Sequence, residues 1–599
     1  MPEIGAVLPT TGPNKAFVNH TCLLLLTPVN AALAGVGAHL SHRQGAAVSA
    51  HGSWRGVLEM LHGSVRFLTS ETAGFAGRSR SASSMAELFS PLDRLLTAGG
   101  DPRLTLHPAS GLNEYGCRPQ PCPETPSFSS STATSISQRA FDRAEAARET
   151  LMRSAISIGI DAAFEERVEE MRDELRTSLG LSPALADVVF SPSGTDSQLQ
   201  ALFLARTLLG SELVTVVVAA DQTGSGTANT ARGCHFSAAT ANGSSVQKGE
   251  PIAGLALALK SVALPLFDET GQACSATASD AAVLDAVERS VAGGGKVLLQ
   301  VMDSSKFGWR APSDQCLETI TARFGEQVQI VVDACQMRLG RARLKRYLER
   351  GYIVIVTGSK FFTGPPFSGA LLVPAGFAGR LDAATAIPPG LLEYVSCSDW
   401  PQTWPALRSR FPVRTNFGQW LRWEAAIEEI GAYYRVPDHF RKIALTTFGA
   451  AVERLIAASP SLDLLPRQER PLDAADEELA QRTIFSFVVR RGNDIRSLGE
   501  CRTLYRALAG NVTSGDLKAA VKPCLIGQPV ALGRDPSPPA ALRISASARL
   551  VSEAWSPDAQ TAHRNLQHAI DQAAIAIANL EELLADVDGL RPMEVSHGM

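Results

Sequence analysis

The chain has 599 residues, 45% hydrophobic and 19% charged, enough to bury a large core and form more than one domain. Lys and Arg number 56 against 60 Asp and Glu, so net charge is only −4, with no basic stripe for nucleic acid and no acidic tail. The ten cysteines form no CxxC pair, and Pro119, Pro121 and Pro123 crowd the nearest two, Cys117 and Cys122. That pattern excludes a zinc-ligand spacing and suits a reducing cytoplasm.

Residues 1–95 read as a poorly ordered extension with weak helical periodicity and a polar stretch at 78–81. Four of the eleven histidines fall between His20 and His51, but none is spaced i, i+4, so no metal is expected. The apolar stretch 22–40 is broken by Pro28, Asn30 and several glycines, whereas a membrane span needs about 20 apolar residues. Lys15 alone is thin support for a signal peptide, and the expected location is cytoplasmic.

Residues 96–180 are expected to form an arm and one long helix. The arm includes a polar loop, Gly111-Leu112-Asn113-Glu114-Tyr115-Gly116. The helical pattern opens at Ser137, runs through Ala144, Leu151, Ile158, Phe164, Met171 and Leu175, and stops at Gly180, a suitable C-cap.

Residues 181–415 alternate short apolar runs with helical segments. The runs lie at 187–190, 213–219, 297–302, 329–332, 352–356 and 370–373; the helices lie at 198–209, 280–291, 314–324 and 341–350. That alternation predicts an α/β domain with a large, mostly parallel sheet, whose ligands bind at the carboxyl ends of the strands. Residues 416–599 read as a smaller α+β domain, with helices at 420–434, 437–457 and 563–584 and strands at 484–489 and 542–545.

Two of these runs end in complementary groups. The run 329–332 ends at Asp333, and the run 352–356 leads to Lys360, 27 residues after the aspartate. Strand, crossover helix and parallel strand bring the two ends side by side. A pyridoxal phosphate (PLP) site needs such a pair. The amine forms the Schiff base, and the carboxylate keeps the pyridine nitrogen protonated. Upstream, Ser193-Gly194-Thr195 follows an apolar run and opens a helix, so its amides can face a phosphate. An ordinary N-cap reads the same way when taken alone.

The segment VVDACQMRLG…YIVIVTGSKFFTGPPFSGALLV resembles fold-type I PLP enzymes, in particular the class V aminotransferase and cysteine desulfurase superfamily. The likeness spans about 99–590. That family shows D-x-x-Q, then S-x-H-K, then a G-P…G segment leading into an antiparallel strand. The resemblance implies roles for several residues. Lys360 corresponds to the Schiff-base lysine and proton carrier, Asp333 to the pyridinium partner, and Gln336 to the glutamine on the ring hydroxyl. Gly194 and Thr195 match the phosphate loop, with Ser193 before them. Thr357 and Ser359 occupy the first and third positions of S-x-H-K, so serine replaces the family's histidine. Thr415 corresponds to a threonine reaching the phosphate of a neighbouring subunit, which implies a homodimer. Arg543 resembles the arginine that grips the substrate carboxylate, with Asn113 assigned beside it.

Other positions stay open. Gln222 stands where the family has a histidine stacked on the ring, and His235 is a second candidate for that place. Lys306, in Asp303-Ser304-Ser305-Lys306, also follows an apolar run and rivals Lys360. Cys524, 19 residues before Arg543, lies broadly where some desulfurases carry their persulfide cysteine, although a buried, inert thiol fits it better. The resulting expectation is a PLP-dependent enzyme acting on a small amino acid, with transamination ahead of C–S lyase or desulfurase chemistry. A catalytically silent scaffold of the same fold is the contrasting reading.

Overall fold

The computed structural model describes residues 79–129, 133–255, 260–269, 271–384, 386–468, 473–510, 522–533 and 535–585. The chain divides into two compact units. One holds residues up to Leu95 together with Glu145–Val168; the other holds Leu96–Ala144 and Glu169 onward. Most of the extension 1–95 lies outside the described residues. Within the polar stretch at 78–81, read as part of a poorly ordered extension, a helix begins at Ser79 and runs to Leu88, followed by Leu92–Leu96.

The long helix expected from Ser137 to Gly180 is two helices, Gln138–Ile158 and Ile160–Ser178. Gly159 separates them at φ +86°, a left-handed conformation that glycine adopts without penalty and that ends a helix. The apolar periodicity continues across the break, which is why the pattern read as one element.

After a short strand β1 (Ser127–Phe128) come the seven strands of the large sheet. These are β2 (Ala186–Ser191), β3 (Leu213–Val218), β4 (Lys260–Leu264), β5 (Lys296–Met302), β6 (Val328–Asp333), β7 (Ile353–Thr357) and β8 (Gly369–Pro374). Their order is β2-β8-β7-β6-β5-β3-β4. β8 runs antiparallel to both its neighbours and the rest are parallel, so the antiparallel strand after the G-P-P segment is where the resemblance put it. Helices cover such a sheet, and its strands are therefore largely apolar runs rather than alternating ones. β2, β7 and β8 are buried along their whole length. Of these seven strands only β4 escaped the sequence reading: it lies at the sheet edge, exposed or half-buried throughout, and its apolar part is just Val262-Ala263-Leu264.

The helix Gly194–Leu209 packs beneath the sheet with nearly every residue buried, and the core continues into Trp400, Trp404 and Phe411. The Trp404 indole nitrogen donates to Asp187 on β2 at 3.0 Å, which satisfies both buried groups.

The second sheet contains β9 (Leu462–Leu464), β10 (Ile484–Arg491), β11 (Asp494–Ile495), β12 (Leu525–Ala531) and β13 (Ala540–Ser545), ordered β1-β12-β13-β10-β11 with β9 against β10. Arg543 on β13 lies opposite Gly527 and Ser486. A Cβ at Gly527 would come within 2.8 Å of the Arg543 Cβ and 3.0 Å of its Nε, so glycine leaves the arginine its path across β12. A buried ion network fastens the segment at Asp476 to the large sheet's helices. Arg343, fully buried, donates to Asp476 at 2.5 and 2.8 Å and to Asp314 at 2.9 Å, and Arg310 donates to Asp476 at 2.9 Å.

Candidate active site

The site grows from the ends of β6 and β7. Parallel pairing sets Asp333 opposite Ile355, two residues before β7 ends at Thr357. The half-buried Asp333 carboxylate accepts the Cys335 amide at 3.1 Å, and the Thr357 hydroxyl donates to the Cys335 carbonyl at 2.7 Å. These two bonds lock the turn after β6 to the end of β7, with Gln336 buried on the same turn. Burial, then the Asp333 charge, raises the Cys335 thiol well above its ordinary value, so it remains an uncharged packing group.

Lys360 follows on a loop held at several points. Its carbonyl accepts the Thr363 amide at 3.1 Å, the Gly364 amide donates to Gly358 at 2.9 Å, and the Gly358 amide donates to Ser368 at 3.1 Å. A Cβ at Gly358 or Gly364 would come within 2.4 or 2.7 Å of the Ala426 Cβ, so the two glycines let the loop press against the helix Phe417–Arg435. The Lys360 amine is half-buried and makes no ion pair among the described residues. Ser359 beside it is buried at 2% exposure.

An anion cradle lies alongside. β2 leads into the helix Gly194–Leu209, whose Ser193 cap accepts the Thr195 and Asp196 amides at 3.2 and 3.1 Å. A Cβ at Gly194 would lie 2.8 Å from the Cys335 sulfur, so this glycine lets the cradle close on the Asp333 turn. A second glycine-rich loop, Thr223-Gly224-Ser225-Gly226-Thr227, faces Thr195. A Cβ at Gly226 would meet its Cγ2 at 2.6 Å, and one at Gly224 its Oγ1 at 3.8 Å. The Thr227 hydroxyl is buried without a partner. Sequence reasoning missed this loop, although its Gly-Ser-Gly-Thr composition, just after a strand, was the available signal. Burial pushes the Asp196 carboxyl up to about 7, against the Ser193 hydroxyl bond, which draws it back. A carboxyl held this high is less charged near neutral pH than an ordinary one and repels an anionic guest less.

Gln222 is buried at 3% exposure just past β3. Its amide nitrogen is 3.5 Å from Asp221, and its carbonyl oxygen has no partner. An orphaned buried oxygen costs about 1–3 kcal/mol, so its retention points to a ligand group. Asp221 is committed to the Leu266 and Phe267 amides at 2.7 and 3.2 Å. His235 points elsewhere, its Nδ1 2.6 Å from the Tyr394 hydroxyl.

Arg543 enters from the second sheet. Its guanidinium bonds the Gln528 carbonyl at 3.2 and 2.9 Å and the Lys306 carbonyl at 3.2 Å, and it has no carboxylate partner among the described residues. Burial lowers it to about 10, still cationic at neutral pH. Lys306 joins the same site. Burial lowers its amine to about 8, with the Arg543 and Lys360 charges adding to the effect and Asp221 and Asp333 opposing it. The flanking Asp303 is occupied by Arg310 at 3.2 Å and Tyr347 at 2.7 Å, and Ser305 caps its own turn by accepting the Phe307 and Trp309 amides.

Three further expected groups have surroundings of their own. The Asn113 side-chain oxygen accepts the Tyr115 and Cys117 amides at 2.9 and 3.0 Å and shapes its own loop. Thr415 is half-buried and makes no hydrogen bond among the described residues. Cys524 is buried, and burial pushes its thiol up to about 12, so the inert reading fits it. Among the described residues no helix is long and apolar enough to cross a membrane.

The residues present fit PLP: an amine without an ion pair, a carboxylate on the adjoining strand, a glycine-lined anion cradle, and orphaned oxygens on Gln222 and Thr227. No protein-family model matches the chain, and no curated protein matches it. Among solved structures it is similar to Catharanthus roseus tryptophan decarboxylase in complex with L-tryptophan, at 16% identity and TM-score 0.44, covering 78% of this chain and 85% of that one. It is also similar to a cystine C–S lyase in complex with its product cysteine persulfide, at 13% identity and TM-score 0.44, covering 75% and 97%. A third is the Oryza sativa protein TDC, solved with PLP, at 14% identity and TM-score 0.44, covering 77% and 84%.

Proposed function

We propose that the chain is a PLP-dependent enzyme of fold type I that acts on an amino acid, with transamination as the reaction. The observation that carries this reading is the pairing of β6 with β7, which sets Asp333 beside the strand leading to Lys360, an amine without an ion pair. PLP, when bound, supplies an electron sink that eases the breaking of bonds at the amino acid's Cα.

The rest is done by this chain's own groups. The Lys360 amine would hold the cofactor covalently and would carry the proton at the substrate's Cα. Asp333 would keep the ring nitrogen protonated, which an uncompensated base could not do. The Gly194 amide, the Thr195 hydroxyl and the facing 223–227 loop would hold the phosphate. Arg543, with no carboxylate of its own, grips the substrate carboxylate in its planar fork. Thr415, unbonded among the described residues, fits a homodimer in which it would reach the partner's phosphate. The burial of Cys524 weighs against the desulfurase alternative, which needs a reachable thiolate.

Borohydride reduction of PLP-loaded protein, followed by peptide mapping, tests the reading. The label is expected on Lys360 and is expected to disappear in Lys360→Ala while persisting in Lys306→Ala. A chain that takes up no PLP overturns the proposal, and a label on Lys306 reverses the two lysines. A keto-acid assay run beside a sulfide assay then separates transamination from C–S chemistry.

A further inference from the structure

Beside Lys306 the two sheets enclose a cavity of ≈ 280 Å³, lined by Asp221, Phe267, Lys306, Leu498, Arg502 and Val530. A water occupies about 30 Å³ of liquid, so a side chain of several carbon atoms fits the space. Its charge is unbalanced. Neither the Lys306 amine nor the Arg502 guanidinium makes an ion pair among the described residues, and Arg543 stands behind Lys306 with no carboxylate of its own. The one acid on the wall, Asp221, spends both oxygens on the Leu266 and Phe267 amides. A half-buried ammonium without a partner is costly to keep and gains most from an anion that arrives with the ligand.

The position of the cavity follows from one bond. Arg543 donates to the backbone carbonyl of Lys306 at 3.2 Å, so the α-carboxylate fork on β13 is held against the loop that carries the head of the cavity. Lys306 also lies close enough to Lys360 and Asp333 for their charges to act on its amine. Lys306 therefore stands between the cavity it lines and the reacting end.

We propose that this cavity receives the substrate's side chain and that the side chain ends in a carboxylate, so that the substrate class is the dicarboxylic α-amino acids. Lys306 and Arg502 bind the distal carboxylate, Arg543 binds the α-carboxylate, and Phe267 and Leu498 cover the methylenes between. This inference rests on the PLP-enzyme reading above and names its substrate class.

Calorimetric titration of the full PLP-treated chain tests it, with glutarate and the one-acid analogue pentanoate as probes. Cofactor uptake is read on the same sample by borohydride labelling. Glutarate is expected to bind about tenfold or more tightly than pentanoate, as a charge-assisted contact of about 1.5–3 kcal/mol implies. Lys306→Met is expected to bring the ratio close to one. Arg502→Gln, at an exposed position that leaves folding alone, is expected to lower it a few-fold. Equal binding of the two acids by wild type that holds PLP overturns this inference alone, as does a ratio unchanged in both variants. A preference for glutarate in a chain that takes up no PLP overturns the enzyme reading and leaves the anion site standing.

Discussion

Arg543 on β13 donates to the main-chain carbonyl of Lys306, 3.2 Å away, and so ties the second sheet to the loop that follows β5 of the first. The arginine is held by two backbone carbonyls and keeps its charge for a ligand. Arg543→Lys keeps a cation but loses the planar fork. PLP uptake is expected to be unchanged, while KM for the amino acid rises about a hundredfold, the equivalent of about 3 kcal/mol for a buried charge pair. Steady-state kinetics beside cofactor absorbance checks this; loss of cofactor together with KM would show a structural role instead.

Lys306 makes anion binding depend on pH. Its amine is lowered to about 8, chiefly by burial, with Arg543 and Lys360 pressing the same way and Asp221 and Asp333 against. The cation is present below that value and discharged above it. Affinity for glutarate is therefore expected to fall as pH rises through about 8, and Lys306→Met is expected to abolish that inflection. A profile that stays flat in wild type counts against the assignment.

Asp196 links stability to pH with the opposite chemistry. Its folded value of about 7 lies above the ordinary carboxylate range, so its stabilising contribution is complete below about 4 and lost as pH rises towards 7. Asp196→Asn stays neutral throughout. Thermal melts are expected to show the variant gaining on wild type at pH 8 and differing little at pH 4. An identical gap at both values would sink the prediction.

The Asp476 network is a matter of folding. Burial raises this carboxyl, but the Arg310 and Arg343 bonds outweigh it and leave the group at about 2. Asp476→Asn leaves two buried guanidiniums under-compensated and is expected to cost about 3–5 kcal/mol, read as a lowered urea midpoint. The depressed value also places its acid-linked loss of stability below pH 4, as the pH falls through about 2.

Much of this architecture was legible wherever a residue's surroundings depend on its immediate neighbours. β6 and β7 are buried on both faces, so their apolar runs announced them, and Asp333 and Lys360 were visible as polar residues placed where such runs end. β4 was hidden because an edge strand need not be apolar, and β12 because Gly527, Gln528 and Pro529 interrupt it around its register shift. The loop at 223–227 and the cavity beside Lys306 depend on packing between distant segments. Arg502 and Val530 meet Asp221 only after both sheets are in place, and nothing local to any of them indicates it.

The sheet order carries a consequence for synthesis. β2 has one neighbour in the large sheet, β8, and that partner is translated only after β3 to β7. A Cβ at Gly369 on β8 would strike the Ser193 carbonyl carbon at 2.3 Å, so the arriving strand presses directly on the cap of the anion cradle. A nascent chain stopped short of residue 369 thus leaves the ribosome with β2 unpaired and the cradle open. Until then a strand destined for complete burial waits for its mate, and that interval is where a holding chaperone has something to protect.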